Sequence, residues 1–80
     1  MSTEEQIRST IIETVNEHLK AHDIKTSLTS SNWTKVVGGC KSLNDVADRI
    51  GGKLGIDPPT DLTQFKSLDD AVRYAFNKQA

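Results

Sequence analysis

The chain has 80 residues, 35% hydrophobic and 26% charged, with ten Lys and Arg against eleven Asp and Glu for a formal net charge of −1. That composition suits one small folded domain spanning residues 1–80 rather than a disordered tail. It argues against phosphate-driven nucleic-acid binding, because no window is basic and one Trp, one Tyr and two Phe are too scattered to form a stacking platform.

Apolar runs are as short as Ile11-Ile12 and Val36-Val37, so no membrane span is expected. The opening residues, MSTEEQ, lack the basic and then apolar pattern of a secretory signal. Cys40 is the single cysteine and allows no internal disulfide. A cytoplasmic, monomeric protein without membrane or nucleic-acid partners is the expectation.

The first predicted element is a helix over residues 3–22. Ile7, Ile11, Val15 and Leu19 recur every four residues, and Ile12 flanks their stripe. Ser2 or Thr3, followed three residues later by Glu5 or Gln6, offers a capping box. Residues 23–41 then lose periodicity and read as a long loop, held down by Leu28, Trp33, Val36 and Val37.

A second helix is expected from Ser42, with Leu43, Val46, Ala47 and Ile50 on its apolar face. Gly51-Gly52 weakens it by about 1 kcal/mol per glycine and points to an end between there and Gly55. Pro58-Pro59 forbids continuation. Residues 60–65 allow one short helical turn. Ser67 then caps a last helix carrying Leu68, Ala71, Val72, Ala75 and Phe76. The fold class is all-α: a small four-helix bundle of three main helices and a short one, with a long first loop. Ile11, Val15, Val46, Ile50, Val72 and Phe76 are the expected shared core.

In this order the segments resemble the acyl carrier protein family. Gly39-Cys40-Lys41-Ser42-Leu43 is similar to its Gly-x-Asp-Ser-Leu motif, with Lys41 where the family has Asp. "LGIDPP" at 54–59 is similar to its Gly-Ile-x-x-Pro stretch, and Asp70, Ala71 and Tyr74 fall in matching slots of its last helix. The likeness covers nearly the whole chain through order and spacing rather than through any one strong motif.

The resemblance implies a phosphopantetheine cofactor esterified to Ser42, carrying an acyl or aminoacyl group as a thioester. It implies a place in fatty acid or polyketide biosynthesis. A phosphopantetheinyl transferase and acyl-transferring or synthase enzymes would be its partners. Leu43 and Val46 would line the mouth of the acyl pocket, and Lys41, Asp45, Asp48 and Arg49 would form the docking surface. A carrier needs no catalytic residues of its own, so no enzymatic activity is expected.

Each of these residues also has a plainer role. Ser42 reads equally as a helix N-cap, a device repeated at Ser67. Cys40 reads first as a small passive residue, although a helix start beside Lys41 would lower its pKa. His18 and His22, one turn apart, read as solvated surface residues, with no metal site expected. Asn32-Trp33-Thr34 fits a glycosylation sequon but reads as loop. Lys41 and the near-neutral charge keep open the alternative of an unmodified protein-interaction domain on the same fold.

Overall fold

A computed structural model describes residues 3–38, 45–59 and 62–79. Among them the chain forms α1 (Glu4–Ala21), α2 (Trp33–Gly38), α3 (Val46–Leu54) and α4 (Leu68–Gln79), with a 3-10 turn at Leu62–Gln64 before α4 and no strand. α1 is the central element, packed against both α3 and α4.

The start of α1 is the expected capping box. Thr3 Oγ1 accepts from the Gln6 N–H at 3.2 Å, and the Thr3 N–H donates to Gln6 Oε1 at 3.0 Å. Two of the four N–H groups that every helix start leaves open are thereby engaged or returned. Ile7, Ile11, Thr14, Val15, His18 and Leu19 form the buried face. Thr14 sits among apolar neighbours without penalty because its hydroxyl donates to the Thr10 carbonyl at 2.7 Å.

The segment after α1 is not loop throughout. Leu28 is pinned to α1 by Asn16, whose Oδ1 accepts the Leu28 N–H at 2.6 Å. Asn32 shapes the next turn, accepting from the Thr29 N–H at 2.7 Å and donating to the Ser27 carbonyl at 2.9 Å. Its own carbonyl accepts the Val36 N–H, which launches α2. Trp33, Val36 and Val37 are buried as expected, but on one face of a short helix. Six residues are too few for periodicity to announce themselves as a helix. The Trp33 indole N–H donates to the Phe65 carbonyl at 3.1 Å and Thr34 Oγ1 to the Lys66 carbonyl at 3.1 Å, tying α2 to the approach of α4.

α3 buries Val46, Ala47, Ile50 and Gly51. It passes through the glycine pair and ends at Gly55, in the left-handed region at φ +67. The end thus falls in the expected interval between the glycine pair and Gly55, with the pair itself inside the helix. Gly51 is needed for another reason: a Cβ there would stand 2.9 Å from Pro58 Cβ and 3.0 Å from the Ile56 carbonyl oxygen. At Gly52 a Cβ would meet nothing within 4 Å.

α4 opens on Ser67, whose Oγ accepts the Asp70 N–H at 3.3 Å, while Asp70 Oδ2 accepts the Lys66 N–H at 3.1 Å. Such a cap stabilises a helix by about 1 kcal/mol. Leu68, Ala71, Val72 and Ala75 face inward. Ile11, Val15, Val46, Ile50 and Val72 join one core cluster, whereas Phe76 is only partly buried at its edge. Arg8 and Asp69 pair at 2.5 Å across α1 and α4, and Lys53 and Glu17 at 3.3 Å across α3 and α1. No helix among the described residues is long and apolar enough to cross a membrane.

Candidate functional site

The sequence directs attention to the entry of α3. Lys41, Ser42 and Leu43, and Cys40 with them, lie outside the described residues, as does the expected helix start at Ser42. The described part of the site begins at Asp45. Its backbone is already helical, at φ −72 and ψ −21, and its side chain makes no capping hydrogen bond.

Asp45, Asp48 and Arg49 follow at helical spacing and are all exposed, opposite the face carrying Val46, Ala47 and Ile50. The structure thus groups the three predicted docking residues that it describes on one solvent-facing strip. Its charge is mixed, two carboxylates and one guanidinium, rather than a single-signed field that would steer a partner over distance. Val46 is fully buried in the core cluster.

α1 buries a residue whose polarity reads as solvent-facing in the sequence. His18 is only 5% exposed. Its ring lies 4.4 Å, centroid to centroid, from that of exposed His22, tilted by 42°. Burial holds the His18 pKa below its ordinary value; the positive charges of His22 and Arg49 act in the same direction, and Asp45 opposes them. The signal for this burial was in the sequence. His18 follows Val15 by three residues and Ile11 by seven, which is the core face of α1. Among the described residues no group of three or more His, Cys, Asp and Glu is arranged to hold a metal ion.

A second feature lies on the other side of α2. A cleft of about 230 Å³ opens between α2 and the approach to α4, lined by Trp33, Val37, Gly38, Thr63, Phe65 and Lys66. Its walls are largely aromatic and aliphatic, with the Lys66 side chain at the rim. An edge-to-face contact between Trp33 and Phe65, with centroids 6.4 Å apart, fixes one wall. Asn32, the sequon asparagine, has both ends of its amide committed to the turn before α2. Comparison of the chain with protein-family models, with curated proteins and with solved structures gave no significant match.

Proposed function

We propose that the chain is an acyl-carrier-like protein that holds an acyl or related thioester on a phosphopantetheine arm at Ser42 and presents it to partner enzymes. The observation that carries this reading is the position of Gly39-Cys40-Lys41-Ser42-Leu43. The motif directly precedes α3 in sequence, in an all-helical chain that runs α1, α2, α3, a 3-10 turn and α4. The described surroundings fit such a group. α3 keeps Val46 and Ala47 inside and turns Asp45, Asp48 and Arg49 outward, leaving an exposed strip for a modifying or synthase enzyme. The apolar cleft beside Gly38 lies four residues before Ser42 and is of a size to take part of an aliphatic chain.

In this reading Ser42 holds the arm through an ester to its hydroxyl, and Leu43 is the residue that the resemblance assigns to the mouth of the acyl pocket. The arm when attached supplies the thiol that carries the acyl group. The domain itself is a scaffold and not an enzyme. The test is direct. Incubated with coenzyme A and a broad-specificity phosphopantetheinyl transferase, the chain should gain the mass of one arm, and Ser42→Ala should abolish the gain. Lys41→Asp should speed loading, because it restores the acidic residue of the motif that Ser42 resembles.

A second reading, an unmodified interaction domain on the same fold, is favoured by Lys41 and by the mixed charge of Asp45, Asp48 and Arg49. Loading of Lys41→Asp but not of the natural sequence would leave a carrier-type fold that has given up the chemistry. Failure of both to load would make the interaction domain the better account.

A further inference from the structure

A second cleft, of about 310 Å³, crosses the seam between α2 and the approach to α4, where Ser30, Ser31, Thr34, Lys35, Lys66 and Ser67 line it beside Trp33. Lys35 comes from α2 and Lys66 from the segment before α4, so each side of the seam contributes one cation. Among the described residues no carboxylate lines this cleft. Both lysines are exposed and neither makes an ion pair there, whereas Arg8 and Lys53 are matched by Asp69 and Glu17. Asp70 is tied to the Lys66 backbone, its Oδ2 accepting that N–H at 3.1 Å.

The cleft is held together by its own framework. The Trp33 indole N–H on the Phe65 carbonyl and Thr34 Oγ1 on the Lys66 carbonyl, each at 3.1 Å, join α2 to the backbone that carries Lys66. Asn32 clamps the turn that carries Ser30 and Ser31, bonding the Thr29 N–H and the Ser27 carbonyl. Such preorganisation lowers the cost of ordering a bound group. Two cations in one cleft with no carboxylate on its walls concentrate anions there. Hydroxyl donors are also at hand. Ser30 Oγ has no hydrogen-bond partner among the described residues, and Ser67 Oγ accepts from the Asp70 N–H with its own hydrogen left to donate.

We propose that this cleft binds the phosphoryl group of a small phosphate monoester, with Lys35 and Lys66 against its oxygens and the Ser30 and Ser67 hydroxyls donating to them. A monoester carries a charge of about −1.5 to −2 at pH 7 and three strong acceptor oxygens, which two ammonium groups and two hydroxyls match better than they match a carboxylate. The volume lies at the lower end of small-ligand clefts, about 300–1,000 Å³, and leaves room for a short organic substituent beside the phosphoryl group. The inference stands apart from the carrier reading, because it needs neither Ser42 nor an arm.

The experiment uses the unmodified full chain near pH 7.5. Backbone amides are followed by NMR while glycerol phosphate, inorganic phosphate or chloride is added at constant ionic strength. The expected result is a saturable shift confined to residues 30–35 and 66–67, produced by glycerol phosphate, more weakly by inorganic phosphate, and not by chloride. Lys35→Gln and Lys66→Gln should each weaken binding about tenfold, the worth of a charge-assisted hydrogen bond. Both side chains are exposed, so both variants keep the fold. Lys25→Gln removes the same charge from an exposed position off the cleft and should leave affinity unchanged. The site is refuted by shifts that fail to saturate or that chloride reproduces, or by Lys25→Gln weakening binding as much as Lys35→Gln. Inorganic phosphate binding as tightly as glycerol phosphate would overturn the monoester assignment.

Discussion

α1 and α3 leave their helices by the same route through different residues. After α1, Asp23 turns into the left-handed region at φ +59, and the Ile24 N–H reaches back to the Leu19 carbonyl at 2.8 Å. After α3, Gly55 does so at φ +67, and the Ile56 N–H reaches back to the Gly51 carbonyl at 3.0 Å. Both are the six-to-one bond of a Schellman exit, and each isoleucine ends partly buried against the core. The difference is in what each exit costs. Glycine has no Cβ to clash in the left-handed region, whereas Asp23 bears that clash and adds a carboxylate to the negative end of α1. The isoleucine that must reach the core dictates the turn. The residue at the turn only sets its cost.

The exits differ again at the carbonyl that receives the returning N–H. In α1 this residue is Leu19, with its side chain in the core; in α3 it is Gly51, roofed by Ile56 and Pro58. Gly51→Ala should give the largest effect. Overpacking against Pro58 costs about 1–3 kcal/mol, and the better helix propensity of alanine returns only about 1 kcal/mol. Gly52→Ala faces open space and should instead stabilise by about 0.5–1 kcal/mol. Urea unfolding of the two variants decides the matter. Equal effects at the two neighbours would show that the close approach of Pro58 is not what requires glycine at 51.

Gly55→Ala should come next, with a loss of about 1 kcal/mol. It places a Cβ in the left-handed conformation that Asp23 already tolerates. The same unfolding midpoints check it. A variant as stable as the natural chain would mean that the α3 exit rearranges when challenged and is not held by Ile56.

These positions mark where the sequence could and could not be read. α1 and α4 were legible because each has a continuous apolar face and a polar residue that caps its start, Thr3 with Gln6 and Ser67 with Asp70. α2 was not, because Trp33, Val36 and Val37 make a single turn whose start depends on Asn32 rather than on a pattern. The end of α3 before Gly55 is legible from the glycines, but the need for glycine at 51 is not, because Ile56 and Pro58 return to it through a tertiary contact that propensity does not register. In the candidate site, Asp45, Asp48 and Arg49, named as a docking surface through the resemblance, are exposed, and their spacing opposite Val46, Ala47 and Ile50 accounts for it. The polarity of His18 points to solvent, but its position on the α1 stripe points inward, and position prevails.

The smallest effect is expected at the first exit, and there the two contributions to its cost can be separated. Asp23→Gly should stabilise the chain by about 0.5–1 kcal/mol, since it relieves the left-handed strain and removes the charge at the end of α1. Asp23→Asn removes the charge but keeps a side chain of nearly the same shape, and asparagine accepts the left-handed region about as readily as aspartate. It should therefore recover only the electrostatic part of the gain. Salt provides the check. Near 1 M the screening length falls to about 3 Å, so the advantage of Asp23→Asn should fade while most of that of Asp23→Gly persists. If both advantages vanish together, the cost at Asp23 is purely the carboxylate against the helix end. If neither variant gains at low salt, the Asp23 side chain stabilises the exit, and the account of the two exits as one turn at two costs is wrong.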